Sequence, residues 1–261
     1  MPDASAKVRL FVESDLAAGA EVALAQPQAH YLFAVMRMGV GAAVRLFNGR
    51  DGEWIAEVAE AGRRGGRLIC RERSRGQTRP RDLHLLFAPV KKARTDFIVE
   101  KACELGCAAL RPVFTRFTNA ERLRADRLRA HMVEAAEQCG FLSIPDLAEP
   151  VRLDRVLDGW GRGGDEGRRL VFCDERRDAP PLAEALAAHA PAPGGDAGPW
   201  AVLIGPEGGF SDDEALRLRR VPGVVPASLG PRVLRADTAA TTALALWQSV
   251  LGDWSGGETE I

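Results

Sequence analysis

No stretch of this chain reaches the roughly 18 consecutive apolar residues that a membrane-crossing helix needs. Its opening, MPDASAKVRLFVESDL, has no apolar signal core. Both absences point to a cytoplasmic protein with no membrane partner. The five cysteines form no CxxC pair and no cluster with histidine. Cys103 and Cys107, four apart on an expected helix face, read as small buried thiols, and an odd count without pattern fits a reducing compartment. The four histidines, His30, His84, His131 and His189, are scattered, so no metal is expected. No Ser/His/Asp constellation is visible, and no GK[ST] follows a glycine-rich loop. Neither sign of charge dominates: 35 Lys and Arg against 36 Asp and Glu leave a net −1, so total charge names no partner.

What is present is enough for a sizeable core. The 261 residues are 46% hydrophobic and 27% charged, as in one large domain or two modest ones. Charge is uneven along the chain. Residues 60–81 hold eight arginines against Glu60 and Glu72, a local net of +6. Such a stretch is either a solvated linker or a phosphate-contacting surface, and arginine's fork fits the second. The first part reads as small and β-rich: a strand at 8–12, a short helix at 27–38, two strands at 43–60 around Asn48-Gly49-Arg50-Asp51-Gly52, and a strand at 67–73. Residues 74–81 have linker composition. Beyond them LHLLFAPV (83–90) is a continuous apolar run, as in a strand buried on both faces. Helices are expected at 95–106, closed by Gly106, and at 121–139, 181–189, 211–220 and 236–250. Strands are expected at 110–114, 168–175, 200–205 and 224–230. That alternation predicts a parallel α/β sheet.

Two loops carry the chemistry. In LIGPEGGFSDDE (203–214) a buried strand leads into glycines that permit close backbone approach. Ser211 and Glu214 form a capping box, with Asp212 and Asp213 in the first helical turn. That helix start is already occupied by acceptors, so a phosphate ligand is disfavoured there. The second loop, LGPRVLRADT (229–238), also follows a strand and opens a helix, one whose small residues allow tight packing. Two such loops at successive strand ends favour a shared crevice. Gly159-Trp160-Gly161-Arg162-Gly163-Gly164 formally matches GxGxxG but follows a helical pattern, and is read as a loop.

LIGPEGGFSDDE, LGPRVLRADTAATTAL and EQCGF (137–141) together resemble the RsmE-type family of 16S ribosomal RNA uridine-N3 methyltransferases, of the SPOUT superfamily, over essentially the whole chain. HYLFAVMRMGVGAAVRLFNGRDGEW is similar to that family's PUA-like domain, and KKARTDFIVEKACELG to its first catalytic-domain helix. The resemblance implies a PUA-like RNA-binding domain at 1–75 and, at 76–261, a SPOUT-type parallel α/β sheet with a C-terminal trefoil knot. It implies a homodimer acting on 16S rRNA or the 30S subunit. S-adenosyl-L-methionine would lie between two knot loops, on Leu203, Ile204, Gly205, Pro206, Glu207, Gly208 and Gly209, and on Leu229, Gly230, Arg232, Val233 and Leu234. Methylating N3 requires loss of its proton and stabilisation of charge on the uracil oxygens. Arg232 and Arg235 are the candidates for the second task and Glu207 for the first, or for orienting an arginine; Asp237, where many relatives carry Glu, receives no firm role. Arg9, Arg37, Arg73, Arg75, Arg79 and Arg81 are the candidate RNA contacts. The alternatives are a SPOUT enzyme acting on a ribose 2′-oxygen or a transfer RNA base, and a non-catalytic RNA-binding assembly protein.

Overall fold

The structure, a computed structural model, describes residues 6–119, 123–174, 176, 178–192 and 195–254. The chain forms two units. One comprises the residues up to Arg79 together with Ala136–Ile144; the other comprises Pro80–Ala135 and the residues from Pro145 onward.

In the first unit strands β1 (Arg9–Phe11), β2 (Glu21–Leu24), β3 (Ala43–Phe47), β4 (Glu53–Ala61) and β5 (Gly66–Arg75) form a sheet in the order β1-β3-β4-β5-β2. Side chains alternate with the two-residue period of a strand. Val8, Leu10 and Val12 are buried, whereas Arg9 and Phe11 are half-buried. The helix expected at 27–38 is shorter and wider. Helix α1 (Gln26–Ala29) runs into a π-helical turn at His30–Val35, where Met36 N–H donates to Tyr31 C=O at 2.9 Å. Arg37, at φ 55°, ends it in the left-handed region. The basic stretch is mostly strand: β5 takes up Gly66–Arg75 and pairs with β4 and β2.

Segment 136–144 groups with this unit, and its carbonyls explain why. Arg9 donates to Ala136 C=O (2.5 Å), Glu137 C=O (3.1 Å) and Phe141 C=O (3.2 Å), and Arg75 to Gly140 C=O (3.0 Å). The EQCGF motif is therefore an acceptor surface for two arginines.

The second unit alternates strand and helix as the sequence predicts. Its elements are β6 (Leu83–Phe87), α2 (Lys92–Glu104), β7 (Ala109–Phe114), α3 (Ala125–Cys139), β8 (Asp146–Leu147), β9 (Val151–Arg152), α4 (Leu153–Gly159), β10 (Arg169–Cys173), α5 (Leu182–Ala187), β11 (Trp200–Ile204), α6 (Asp212–Arg220), β12 (Val224–Ala227) and α7 (Ala236–Val250). The sheet is parallel, in the order β12-β10-β11-β6-β7-β8, and β9 pairs with β7. Strands β10, β11 and β6 are covered on both faces, hence their continuous apolar runs. Gly106, at φ 72°, closes α2: its N–H donates to Cys103 C=O and that of Cys107 to Ala102 C=O, both at 3.0 Å, the two-bond Schellman pattern. Gly159 ends α4, and the rest of the GxGxxG match lies beyond it in a turn and a 3₁₀ segment at Gly163–Asp165.

Strand β12 sits beside β10, so the chain leaving β11 crosses over β10 before returning as α7. Helix α7 packs on α2, α5 and β11 through Ala240, Ala243, Leu244 and Trp247. Gln248, 1% exposed, ties it to the end of α2 by donating to Leu105 C=O at 2.6 Å.

Candidate functional site

Strands β10, β11 and β12 end at the same edge of the sheet, and their following loops enclose a cavity of about 180 Å³. Its walls are residues 204–209 after β11, residues 229, 230 and 232–234 after β12, Cys173 and Asp174 at the end of β10, and Ala236 and Ala239 on α7. The two loops singled out by sequence therefore meet at one site.

Gly205, Gly208, Gly209 and Gly230 lie on the wall, where the lack of a side chain exposes backbone. A Cβ at Gly205 would stand 2.7 Å from the Phe210 ring, so the turn can pass that ring only without a side chain. Gly230 sits at φ 103°, where a side chain would be strained. Leu203 does not reach the cavity. It is fully buried in β11 among Leu86, Phe172 and Phe210, a core residue one position before the wall begins. Cys173 and Asp174 were missed by sequence reasoning. Their signal was a polar pair at the carboxyl end of a central strand. Burial pushes the Cys173 thiol up to about 12, so it stays protonated as a soft apolar wall. Asp174, 3% exposed, is bonded to Arg219 and accepts from Arg176 N–H at 3.0 Å.

Helix α6 starts beside this cavity as the capping box requires. Ser211 Oγ accepts from Glu214 N–H at 3.3 Å, and Glu214 accepts from Ser211 N–H at 2.9 Å. Its other oxygen accepts from Arg116 N–H at 2.8 Å. With Asp212 and Asp213 in the same turn, this helix end repels rather than attracts an anion. The cavity suits a ligand held by main-chain groups and small apolar side chains, without phosphates.

The candidate polar residues separate in space. Arg232 lines the cavity, whereas Arg235 precedes α7 at its N-cap and is absent from the wall. Both are exposed, with no ion pair among the described residues. Glu207 lies on the wall and accepts from Arg94 Nη1 at 3.2 Å. Arg94 Nε stands 3.9 Å from Asp237 in the first turn of α7. Arg94 was missed as a site residue; its signal was the Lys91-Lys92-Ala93-Arg94 run opening α2.

The arginines proposed from sequence for RNA also divide. Arg9 and Arg75 bind Glu53 at 2.7 and 2.8 Å, and Arg81 reaches Asp196 at 3.4 Å. Arg37, Arg73 and Arg79 form no ion pair among the described residues. Among those residues no three His, Cys, Asp or Glu side chains gather as a metal site, and no helix is long and apolar enough to cross a membrane.

Residues 77–248 match the RNA methyltransferase domain family, and residues 24–69 match the RNA methyltransferase PUA domain. The chain is 30% identical to Ribosomal RNA small subunit methyltransferase E of Synechocystis, covering 93% of this chain and 78% of that protein. It is 27% identical to the protein of the same name from Rickettsia conorii, covering 91% and 93%. Among solved structures it is similar to a protein from Legionella pneumophila, in complex with the bound cofactor SAM, at 28% identity and a TM-score of 0.74, covering 93% and 97%. The fold also matches Ribosomal RNA small subunit methyltransferase E from Neisseria gonorrhoeae, bound to S-adenosyl methionine, at 22% identity and a TM-score of 0.76, covering 95% and 99%. With these matches spanning both units, the chain belongs to the RNA methyltransferase family that contains the Ribosomal RNA small subunit methyltransferase E proteins.

Proposed function

We propose that this chain transfers a methyl group from S-adenosyl-L-methionine to N3 of a uridine in the 16S ribosomal RNA of the 30S subunit. The observation that carries the reading is the single cavity built from both glycine-rich loops, in a chain 28% identical to a SAM-bound structure. The residues fit that cofactor: backbone from 204–209 and 229–234 can surround adenine and methionine, and the occupied start of α6 matches a ligand without phosphates. We read these two segments as the loops of the trefoil knot.

The cofactor supplies an activated methyl group on a sulfonium. The chain must hold the base in line with it and remove water from the contact. Arg232, on the wall, is placed to stabilise negative charge developing on the uracil oxygens. Glu207 on the wall and Asp237 in the first turn of α7 are the carboxylates that approach Arg94. Because Glu207 already accepts from Arg94, we assign it to orienting that arginine or taking the N3 proton, and leave Arg235 outside the chemistry.

Three measurements test this reading. Methylation of 30S particles by the purified protein, read by nucleoside mass spectrometry, should yield 3-methyluridine; a different methylated nucleoside would overturn the N3 assignment. Ala239→Leu places a larger side chain on the cavity wall from a helical position that tolerates it. Its cofactor affinity should fall by at least ~10-fold, about 1.4 kcal/mol, with the fold intact; unchanged calorimetric affinity would place the cofactor elsewhere. In single-turnover assays at saturating cofactor, Arg232→Ala should lose about 100- to 1000-fold in rate. Arg235→Ala should stay within roughly 10-fold of wild type, and the reverse ranking would exchange their roles.

We also propose a homodimer. Thr238, Thr242, Ala245 and Ser249 recur at helical spacing on the outward side of α7, exposed or half-buried. Val233, on the cofactor loop, is 74% exposed. A second copy would cover both.

A further inference from the structure

A second cavity, of about 760 Å³, lies in the same unit as the first, and Glu207 is a wall of both. Five of its lining residues are basic and two are acidic. Lys91, Lys92 and Arg94 come from the start of α2, and Arg124 and Arg127 from the start of α3. Arg127 is bonded to the buried Asp96, and Arg94 to Glu207. These carboxylates fix the direction of two guanidiniums, and Asp126 pairs with Arg124 at 2.7 Å, so the uncompensated charge of the tract is that of the two lysines. Lys91 and Lys92 are exposed and form no ion pair among the described residues. The floor is braced: Thr95 Oγ1 accepts from Val90 N–H and donates to Val90 C=O, both at 3.0 Å. A concave basic wall of this kind concentrates a polyanion, and lysine and arginine are the side chains that meet phosphate.

We propose that this groove holds the sugar–phosphate backbone of single-stranded RNA whose target base enters the cofactor cavity past Glu207. Naming the base rests on the methyl-transfer reading above; naming the polyanion rests on the groove. N3 lies on the Watson–Crick edge, so the base must leave its pair to react. Its strand must then lie beside the cofactor cavity, and the shared Glu207 wall puts the groove there. The groove thus assigns RNA contact to the methyltransferase unit, in addition to the exposed arginines of the first unit.

The test is filter binding of a 16S ribosomal RNA transcript by the full chain across a salt series. Lys91→Gln/Lys92→Gln is compared with Arg73→Gln/Arg79→Gln, and S-adenosylmethionine affinity is measured by calorimetry. Losing two phosphate contacts on a single strand should flatten the slope of log K against log salt by about 1.4 and weaken binding, with cofactor affinity unchanged. Wild-type affinity and slope in the lysine variant overturn the groove, whether or not methylation persists. Weakened RNA binding by the lysine variant, with no methylation by the wild type, supports the groove and overturns the methyl-transfer reading instead.

Discussion

At the scale of single residues, Glu53 shows how a buried charge can be stable in the first unit. It is 1% exposed and bonded to Arg9, Arg45 and Arg75. Burial alone would push its carboxyl up; the hydrogen bonds from Arg75, Arg9 and Arg45 outweigh it and bring it from 4.5 down to about 2. A folded value below the unfolded one means this stability is complete above about 4.5 and is lost as the pH falls toward 2. The amount is on the order of 3 kcal/mol. In the other unit His84 acts in the same direction. Burial and the neighbouring Arg168 bring it from 6.5 down to about 4, so its contribution fades as the pH drops through that window. Urea midpoints should therefore fall between pH 7 and pH 3. Glu53→Gln strands three guanidiniums around a neutral amide and should cost about 3–5 kcal/mol at pH 7. It should also flatten the acid limb below pH 4.5; an unchanged limb would mean that Glu53 does not set it.

At the scale of elements, the start of α6 is the most closely determined part of the site. Glu214 serves three donors there: Ser211 N–H, Ser211 Oγ–H and Arg116 N–H. Glu214→Ala removes all three acceptor contacts and should cost roughly 1–2 kcal/mol in chemical denaturation. Glu214→Gln keeps one amide oxygen and should recover part of that loss. Equal losses for both variants would show that the carboxylate charge at the helix end, rather than the cap geometry, stabilises α6. Helix α7 contrasts with α6: Arg235, at its N-cap, makes no side-chain cap bond. Its position depends on packing against α2, α5 and β11 and on Gln248 at the far end.

At the scale of the molecule, the proposed ligand and the proposed dimer make separable predictions. A cofactor bound only by the folded state stabilises it by about 2.7 kcal/mol at a hundred times its Kd. That should raise the unfolding temperature by roughly 5–10 °C, and the Ala239→Leu protein, with its weaker binding, should show at most about half that rise at the same ligand concentration. Val233→Asp puts a charge on an exposed apolar residue of the cavity wall. Light scattering should then report a monomer where the wild type is a dimer. A wild-type monomer at the same concentration would remove the dimer proposal and leave the ligand proposal untouched.

The sequence by itself determined the alternation of strand and helix after residue 80, because buried parallel strands must be apolar throughout and helices must cover them. It also determined the ends of two helices, since Ser211 with Glu214 and Gly106 act on backbone groups within a few residues. The two loops that line the cavity were legible for the same reason: each is a local strand-to-helix turn with its own glycines. What only the tertiary structure decided depends on residues distant in sequence. Nothing local in EQCGF says that its carbonyls meet Arg9 and Arg75, over separations of 65 to 132 residues. Composition could not separate arginines that brace Glu53 from arginines left to solvent, because the same guanidinium serves either end once a carboxylate lies within reach. Arg94 reaches Glu207 only because the start of α2 and the loop after β11 lie at the same edge of the sheet, 113 residues apart in the chain. Local chemistry fixed the loops, and long-range strand order fixed which charges face them.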